Sequence, residues 1–249
     1  MTPQPDRPAL QITLQRDGFA FVKAEHMHEL LPMTRLSDWD AFANSWNDLA
    51  PDTYLAAQGR QRRRRHSTFS IMADGELRRE PHQPHYQSLK YNSLQGDIQR
   101  WFQPIEPALA DGASLRCILQ FTHQLFASMV ATPQRWHVET HQFRIEARVG
   151  EPGEPTPEGV HRDGVDYVLV LLIDRRNIDR GITTIHASNG DEGLLGSFTL
   201  THPLDAALVD DARVCHGVTA VSAIDPTQPA HRDVLVVTFK AVTQERVGF

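Results

Sequence analysis

His161-Arg162-Asp163-Gly164-Val165-Asp166-Tyr167-Val168-Leu169-Val170-Leu171-Leu172 (HRDGVDYVLVLL) sets two potential metal ligands directly before a short apolar run. The run Tyr167–Ile173 is too short for a core helix and rich in valine and other strand formers, which predicts a buried strand. Segments of similar texture follow and precede it: His137–Val149, Val160–His161, Ile182–His186, Gly196–Leu200, Ala206–Val209, Val214–Ala220 and Val234–Val242. Gly, Pro, Asn and Asp fill the gaps. Short strands at this spacing predict a sandwich or barrel, of which the jelly roll is the commonest enzyme-bearing form. The Pro-rich Glu151–Glu158 (EPGEPTPE) reads as a surface loop at the barrel mouth.

Upstream the texture is mixed. Trp39, Phe42, Ala43 and Trp46 recur at helical spacing within Ser37–Leu49; Leu94–Phe102 and Ser114–Val130 are further helix candidates. One domain over residues 1–249 is expected, helix-rich to about residue 135, with the β core over about 136–245.

Composition narrows the function classes. A chain of 249 residues with a net charge of −6 offers no general attraction for nucleic acid or an anionic membrane. The run Arg60-Gln61-Arg62-Arg63-Arg64-Arg65 is too local to change that, and as a charge run it reads equally well as a solvated face. Two cysteines make no disulfide framework, and the start MTPQPDRPAL has neither a charged n-region nor an apolar h-region, so a cytoplasmic protein is expected. No apolar stretch approaches the roughly 20 residues that span a bilayer.

The tripeptide His-Arg-Asp occurs twice, at His161–Asp163 and His231–Asp233, and about one His-x-Asp is expected by chance from 13 histidines. A protein-kinase catalytic loop is set aside because the accompanying Asn, DFG and glycine-rich loop are missing. Two imidazoles and one carboxylate on one face hold non-haem Fe(II) and leave positions open for a co-substrate and O2. In a jelly roll the third ligand must come from a later strand. His161 and Asp163 have such a partner in His216; His231 is the last histidine of the chain and has none. Arg232, at the head of the final strand, suits the distal carboxylate of a 2-oxoglutarate co-substrate through its bidentate fork.

The pattern His161-x-Asp163, His216, Arg232 resembles the Fe(II)/2-oxoglutarate-dependent dioxygenases, and in particular the bacterial 2OG-Fe dioxygenase family that includes free amino-acid hydroxylases. The resemblance runs through Asp52-x-Tyr54-Leu55, Arg60–His66, His141-Gln142-Phe143-Arg144, the two metal-ligand blocks and Arg232–Phe239. It implies a mostly β double-stranded β-helix (jelly roll, cupin-like) with N-terminal supporting helices. It also implies Fe(II) on His161, Asp163 and His216, and 2-oxoglutarate on the metal and Arg232, with O2 as oxidant and ascorbate as a potential stimulant. Val234 departs from the Ser or Thr that many members carry two residues after the arginine, and Arg180–Thr184 departs from the Gly-Gly-Asp of the isoleucine-hydroxylating members.

A small zwitterionic substrate needs charged partners. Arg144 and Gln142 alternate onto one strand face with Glu146, Arg64 belongs to the basic run, and Asp166 could accept from an amine. His141 shares a face with Phe143 and Ile145 and reads as a core histidine. Three functions stay open: hydroxylation of a free amino acid or similar small molecule, the same chemistry on a peptide, protein or other metabolite, and a non-catalytic metal-binding sensor. A homodimer is also left open.

Overall fold

The computed structural model describes residues 7–56, 62–92, 94–132, 135–148, 150–188 and 193–242; Arg60, Gln61, Val149 and the end of the expected β core at 243–245 lie outside them. The first half runs α1 (Arg7–Asp17), β1 (Phe19–Val22), α2 (Ala24–Leu30), α3 (Trp39–Asn44), β2 (Ala50–Pro51), α4 (Thr53–Ala56), β3 (Arg62–Ile71), β4 (Leu77–Arg79), α5 (Pro107–Ala110) and α6 (Ala113–Ala127). The second runs β5 (Arg135–Ala147), β6 (Tyr167–Arg176), β7 (Ile178–Arg180), β8 (Ile182–Ala187), β9 (Leu194–Thr199), β10 (Ala206–Asp210), β11 (Val214–Val218), β12 (Val221–Ala223) and β13 (Ala230–Val242).

The large sheet has the order β1-β10-β6-β13-β5-β3-β2, with β4 paired to β3; a three-stranded sheet β11-β8-β9 and a ribbon β12-β7 oppose it. All the paired strands are antiparallel. This is the expected jelly roll. The N-terminal part is more than a support, because β1, β2 and β3 are strands of the large sheet itself.

Alternation along the strands divides the core in two. Leu169, Leu171, Leu235, Val237, Phe239, Trp136 and Val138 project from one face of the large sheet onto α1, α2, α3 with the 3-10 turn Ser45–Asp48 that follows it, and α6, where Leu14, Met27, Phe42, Trp46, Leu115 and Phe126 meet them. Val168, Leu172, Val234 and Ile145 project from the other face toward Ile178, Ile185, Val214 and Val221 of the small sheets. Strand β6 is therefore covered on both sides, which is why its sequence is continuously apolar rather than alternating. Burial of each large apolar side chain contributes about 1.5–3 kcal/mol.

Two sequence expectations change. Leu94–Phe102 is not a helix: Asn92 Oδ1 accepts the amides of Leu94 (3.1 Å) and Gln95 (2.8 Å), and Asp97 has a φ of 60°. Such local side-chain bonds compete with a helical ladder. His85 and Arg100 close the segment by exchanging backbone hydrogen bonds of 2.9 Å in each direction. The described part of the arginine run, Arg62–Arg65, in turn opens strand β3 and is not a solvated face. Arg62 pairs with Asp52 (2.9 Å), Arg63 with Glu146 (2.8 Å) and Arg65 with Glu106 (2.7 Å), so its charges are met by partners on both sides of β3.

Candidate active site

Main-chain pairing sets His161 beside His216. The two residues exchange N–H···O bonds of 2.9 Å in both directions, although His161 lies in the loop before β6 and His216 in β11. Their rings approach to 4.8 Å between centroids. Asp163 turns its carboxylate between them, with Oδ1 at 3.6 Å from Nε2 of His161 and Oδ2 at 3.6 Å from Nε2 of His216. Nδ1 of His161 lies 3.0 Å from the Gly159 carbonyl oxygen, to which it donates; that fixes the tautomer and leaves Nε2 as the ligand atom.

The loop carrying Asp163 is shaped by two residues that no motif marked. Asp211 accepts the amide of Asp163 at 2.9 Å, of Gly164 at 2.8 Å and of Val165 at 3.1 Å. Gly164 has a φ of +80°, and a Cβ there would stand 2.4 Å from the Tyr91 ring, so glycine alone fits. Sequence offered no signal for Asp211 beyond its place after a strand.

The electrostatics fit a cation. Burial drives the His216 imidazole down to about 4. Burial acts the same way on His161, but Asp163 and Glu158 outweigh it and push this group up to about 9. Burial works against an ionised Asp163 as well, and the two imidazoles overcome it and hold the carboxyl far below its usual range. Burial and the Asp163 charge raise Asp211 to about 6. Two imidazole nitrogens and a carboxylate oxygen, all within 4.8 Å of one another, form a donor set for a divalent first-row metal.

Arg232 opens into the same cavity, of about 380 Å³. Its side chain is almost wholly buried, yet Nε and Nη2 have no hydrogen-bond partner among the described residues. Burial, followed by repulsion from Arg175, lowers it to about 10. A buried guanidinium with no counter-ion among the described residues calls for an anion.

The predicted substrate residues divide. Arg64 lines the cavity, its guanidinium 3.6 Å above the Phe102 ring centroid and 2.7 Å from Nδ1 of His141. Gln142 and Arg144 do not: Gln142 Nε2 donates to Ser45 Oγ at 2.8 Å, and Arg144 is forked onto Asp233 at 2.8 and 2.6 Å. The opposite face of β5, with His137, Glu139, His141, Phe143 and Ile145, is the one on the cavity. Asp166 is turned to β13, where it accepts from the Ala241 amide (2.6 Å) and Lys240 Nζ (3.4 Å), and it does not line the cavity. His141, read as a core histidine, therefore belongs to the wall.

The 2OG-Fe dioxygenase family model matches residues 43–238. The chain is 23% identical over 235 residues to 3(1)-hydroxy-L-isoleucine 4-dioxygenase of Pantoea ananatis, covering 91% of this chain and 93% of the relative. Among solved structures, a bsmA homolog from Methylobium petroleophilum PM1 superposes with a TM-score of 0.86 at 35% identity, covering 96% of this chain and 95% of the other. IDO from Bacillus thuringiensis has the same fold, with a TM-score of 0.79 at 19% identity over 96% of this chain and 100% of the other.

Proposed function

The chain belongs to the 2OG-Fe dioxygenase family, and from that premise we propose that it hydroxylates a free amino acid or similar small molecule, with Fe(II) held by His161, Asp163 and His216. As a member it is an enzyme that works with Fe(II), 2-oxoglutarate and O2. Together these supply the oxidising chemistry that puts a hydroxyl on a C–H carbon while 2-oxoglutarate leaves as succinate and CO2.

The unpartnered guanidinium of Arg232 carries the assignment of roles, because a metal-binding sensor has no use for a buried cation facing the metal ligands. Arg232 would pair with the distal carboxylate of 2-oxoglutarate. Asp211 and Gly164 hold Asp163 in place, and Gly159 orients His161. Val170, Val234 and Val236 exclude water between the two ends of the cavity. A cavity of about 380 Å³ must hold the co-substrate as well as the substrate, which favours a small one. The likeness to the Pantoea ananatis dioxygenase supports an amino acid.

The test is succinate formation from 2-oxoglutarate with Fe(II) and ascorbate, across the twenty amino acids. Stimulation by one or a few of them is expected. Succinate formation that no amino acid alters would remove the substrate assignment, and a His161→Ala protein with undiminished turnover would remove the metal assignment.

A further inference from the structure

The carboxylate of Asp163 has a neighbour from outside its own loop. Nε2 of Gln87, a residue of the cavity wall, lies 3.4 Å from the main-chain oxygen of Asp163 and 3.4 Å from its Oδ1. Both distances are at the long end of hydrogen bonding, as for one NH2 group spread over two acceptors.

The far end of the Gln87 amide fixes which atom points where. Oε1 accepts from Nη2 of Arg100 at 2.9 Å and from Nδ2 of Asn92 at 3.1 Å. A guanidinium only donates, so the atom that meets Arg100 must be the oxygen and the one that meets Asp163 must be the NH2 group. Arg100 is itself buried, donates from Nη1 to Gln95 Oε1 at 2.9 Å and is tied through its main chain to His85. The main-chain oxygen of Gln87 accepts the Asp97 amide at 2.8 Å. Both the backbone and the amide of Gln87 are thus held in place before any ligand arrives.

This makes the two oxygens of Asp163 unequal. Oδ1 faces the Gln87 donor, while Oδ2 lies on the side of His216, 3.6 Å from Nε2. A carboxylate can bind a metal through one oxygen or through both. An oxygen that shares its lone pairs with an amide is the poorer ligand of the two. Three protein atoms on one face of an octahedral metal leave the opposite face open, and a chelating 2-oxo acid together with O2 fills that face completely. A second oxygen from Asp163 would leave one position too few.

We propose that Gln87 is a positioning residue: by keeping a donor on Oδ1 it holds Asp163 as a one-oxygen ligand and so preserves the open face of the metal. The proposal rests on the dioxygenase reading above and adds to it a residue that belongs to none of the metal-ligand blocks. Gln87 differs in kind from Asp211, which shapes the main chain of the loop and leaves the carboxylate oxygens alone.

The test loads the full chain with Mn(II), whose bound waters are counted by the relaxation of solvent protons. In the parent protein with 2-oxoglutarate, one water is expected to remain on the metal. Gln87→Met, similar in length but without a donor, is expected to lose that water. Without 2-oxoglutarate, the variant should lose about one third of the bound-water relaxivity. Its Mn(II) affinity should stay within about threefold of the parent's, whereas a residue that merely supports a ligand would cost about 10- to 100-fold. Succinate formation should fall about tenfold or more in kcat, with a smaller change in KM for 2-oxoglutarate. Gln87→Asn, whose amide stops one carbon short of Asp163, should behave likewise and carries the test if Gln87→Met fails to fold. Variants that keep the parent's water count would overturn the role of Gln87, as would a fall in Mn(II) affinity of about tenfold or more, or a parent that holds no water beside 2-oxoglutarate. Mn(II) binding that is equal in the parent and in His216→Ala would overturn the metal assignment along with it.

Discussion

Asp211 accepts the main-chain amide of Asp163 at 2.9 Å, so one carboxylate that touches nothing in the cavity sets the direction of another that does. Its second oxygen takes the amides of Gly164 and Val165. Asp211→Ala leaves three partly buried donors unpaired and frees the loop. Metal affinity is expected to fall about 10- to 100-fold, as for other residues that orient a ligand. Asp211→Asn keeps an accepting oxygen and should fall between. Co(II) titration of the three proteins checks the order; equal affinities would show that the loop holds its shape without Asp211.

Arg232 has an expected signature in stability as well as in activity. Nε and Nη2 of this buried side chain have no partner among the described residues, and Arg175 repels its charge. Arg232→Met should raise the stability of the protein free of co-substrate by about 1–4 kcal/mol, following the behaviour of other buried charges replaced by apolar groups. The same change should raise KM for 2-oxoglutarate about 100-fold or more. Chemical denaturation with and without 2-oxoglutarate reads both effects. A variant destabilised without the co-substrate would mean that the guanidinium has a partner in the folded chain.

The buried imidazole of His66 predicts acid sensitivity. Burial lowers it to about 4, with Glu139 opposing and His85 and Arg64 reinforcing the shift. A depressed folded-state value means that the unfolded chain takes up the proton first. The stabilisation is complete above about pH 6.5 and is lost as the pH falls toward 4, to a total of about 3 kcal/mol. In His66→Gln the slope of stability against pH in that window should be shallower by about one proton. An unchanged slope would place the titration elsewhere.

Metal binding should be visible without turnover. Ligands that bind only the folded state stabilise it by about 2.7 kcal/mol at one hundred times Kd. Fe(II) or Co(II) should therefore raise the melting temperature of the parent protein and leave that of His216→Ala unmoved.

The strands of the jelly roll were legible because β6 and β13 are apolar on both faces and bounded by turn residues. Strand β3 was not, because Arg62, Arg63 and Arg65 find carboxylates in distant parts of the chain, and a run of arginines shows nothing of Asp52, Glu146 or Glu106. The order His161, Asp163, His216, Arg232 could be read from the chain, and the structure gathers all four around one cavity. Gln142 and Arg144 lie on the face of β5 turned away from the cavity. Trp136 and Val138 share parity with Gln142 and Arg144 and mark that side as the one packed on helices, a signal present in the sequence. Glu139 shares one face of β5 with His137 and His141, a spacing visible in the sequence, but His66 and His85 reach it from separate segments and the local sequence shows nothing of them.

The pairing of β13 with β5 makes the cavity wall a ruler with fixed graduations. A slip of one residue would turn every side chain of the wall to the helix side, so the chain cannot lengthen or shorten this ruler by small insertions. Which carbon of a substrate would reach the metal is then adjustable through the size of lining side chains such as Phe143, Val234 and Val236. Laboratory evolution of a new site of hydroxylation should accumulate point substitutions there and reject insertions within either strand.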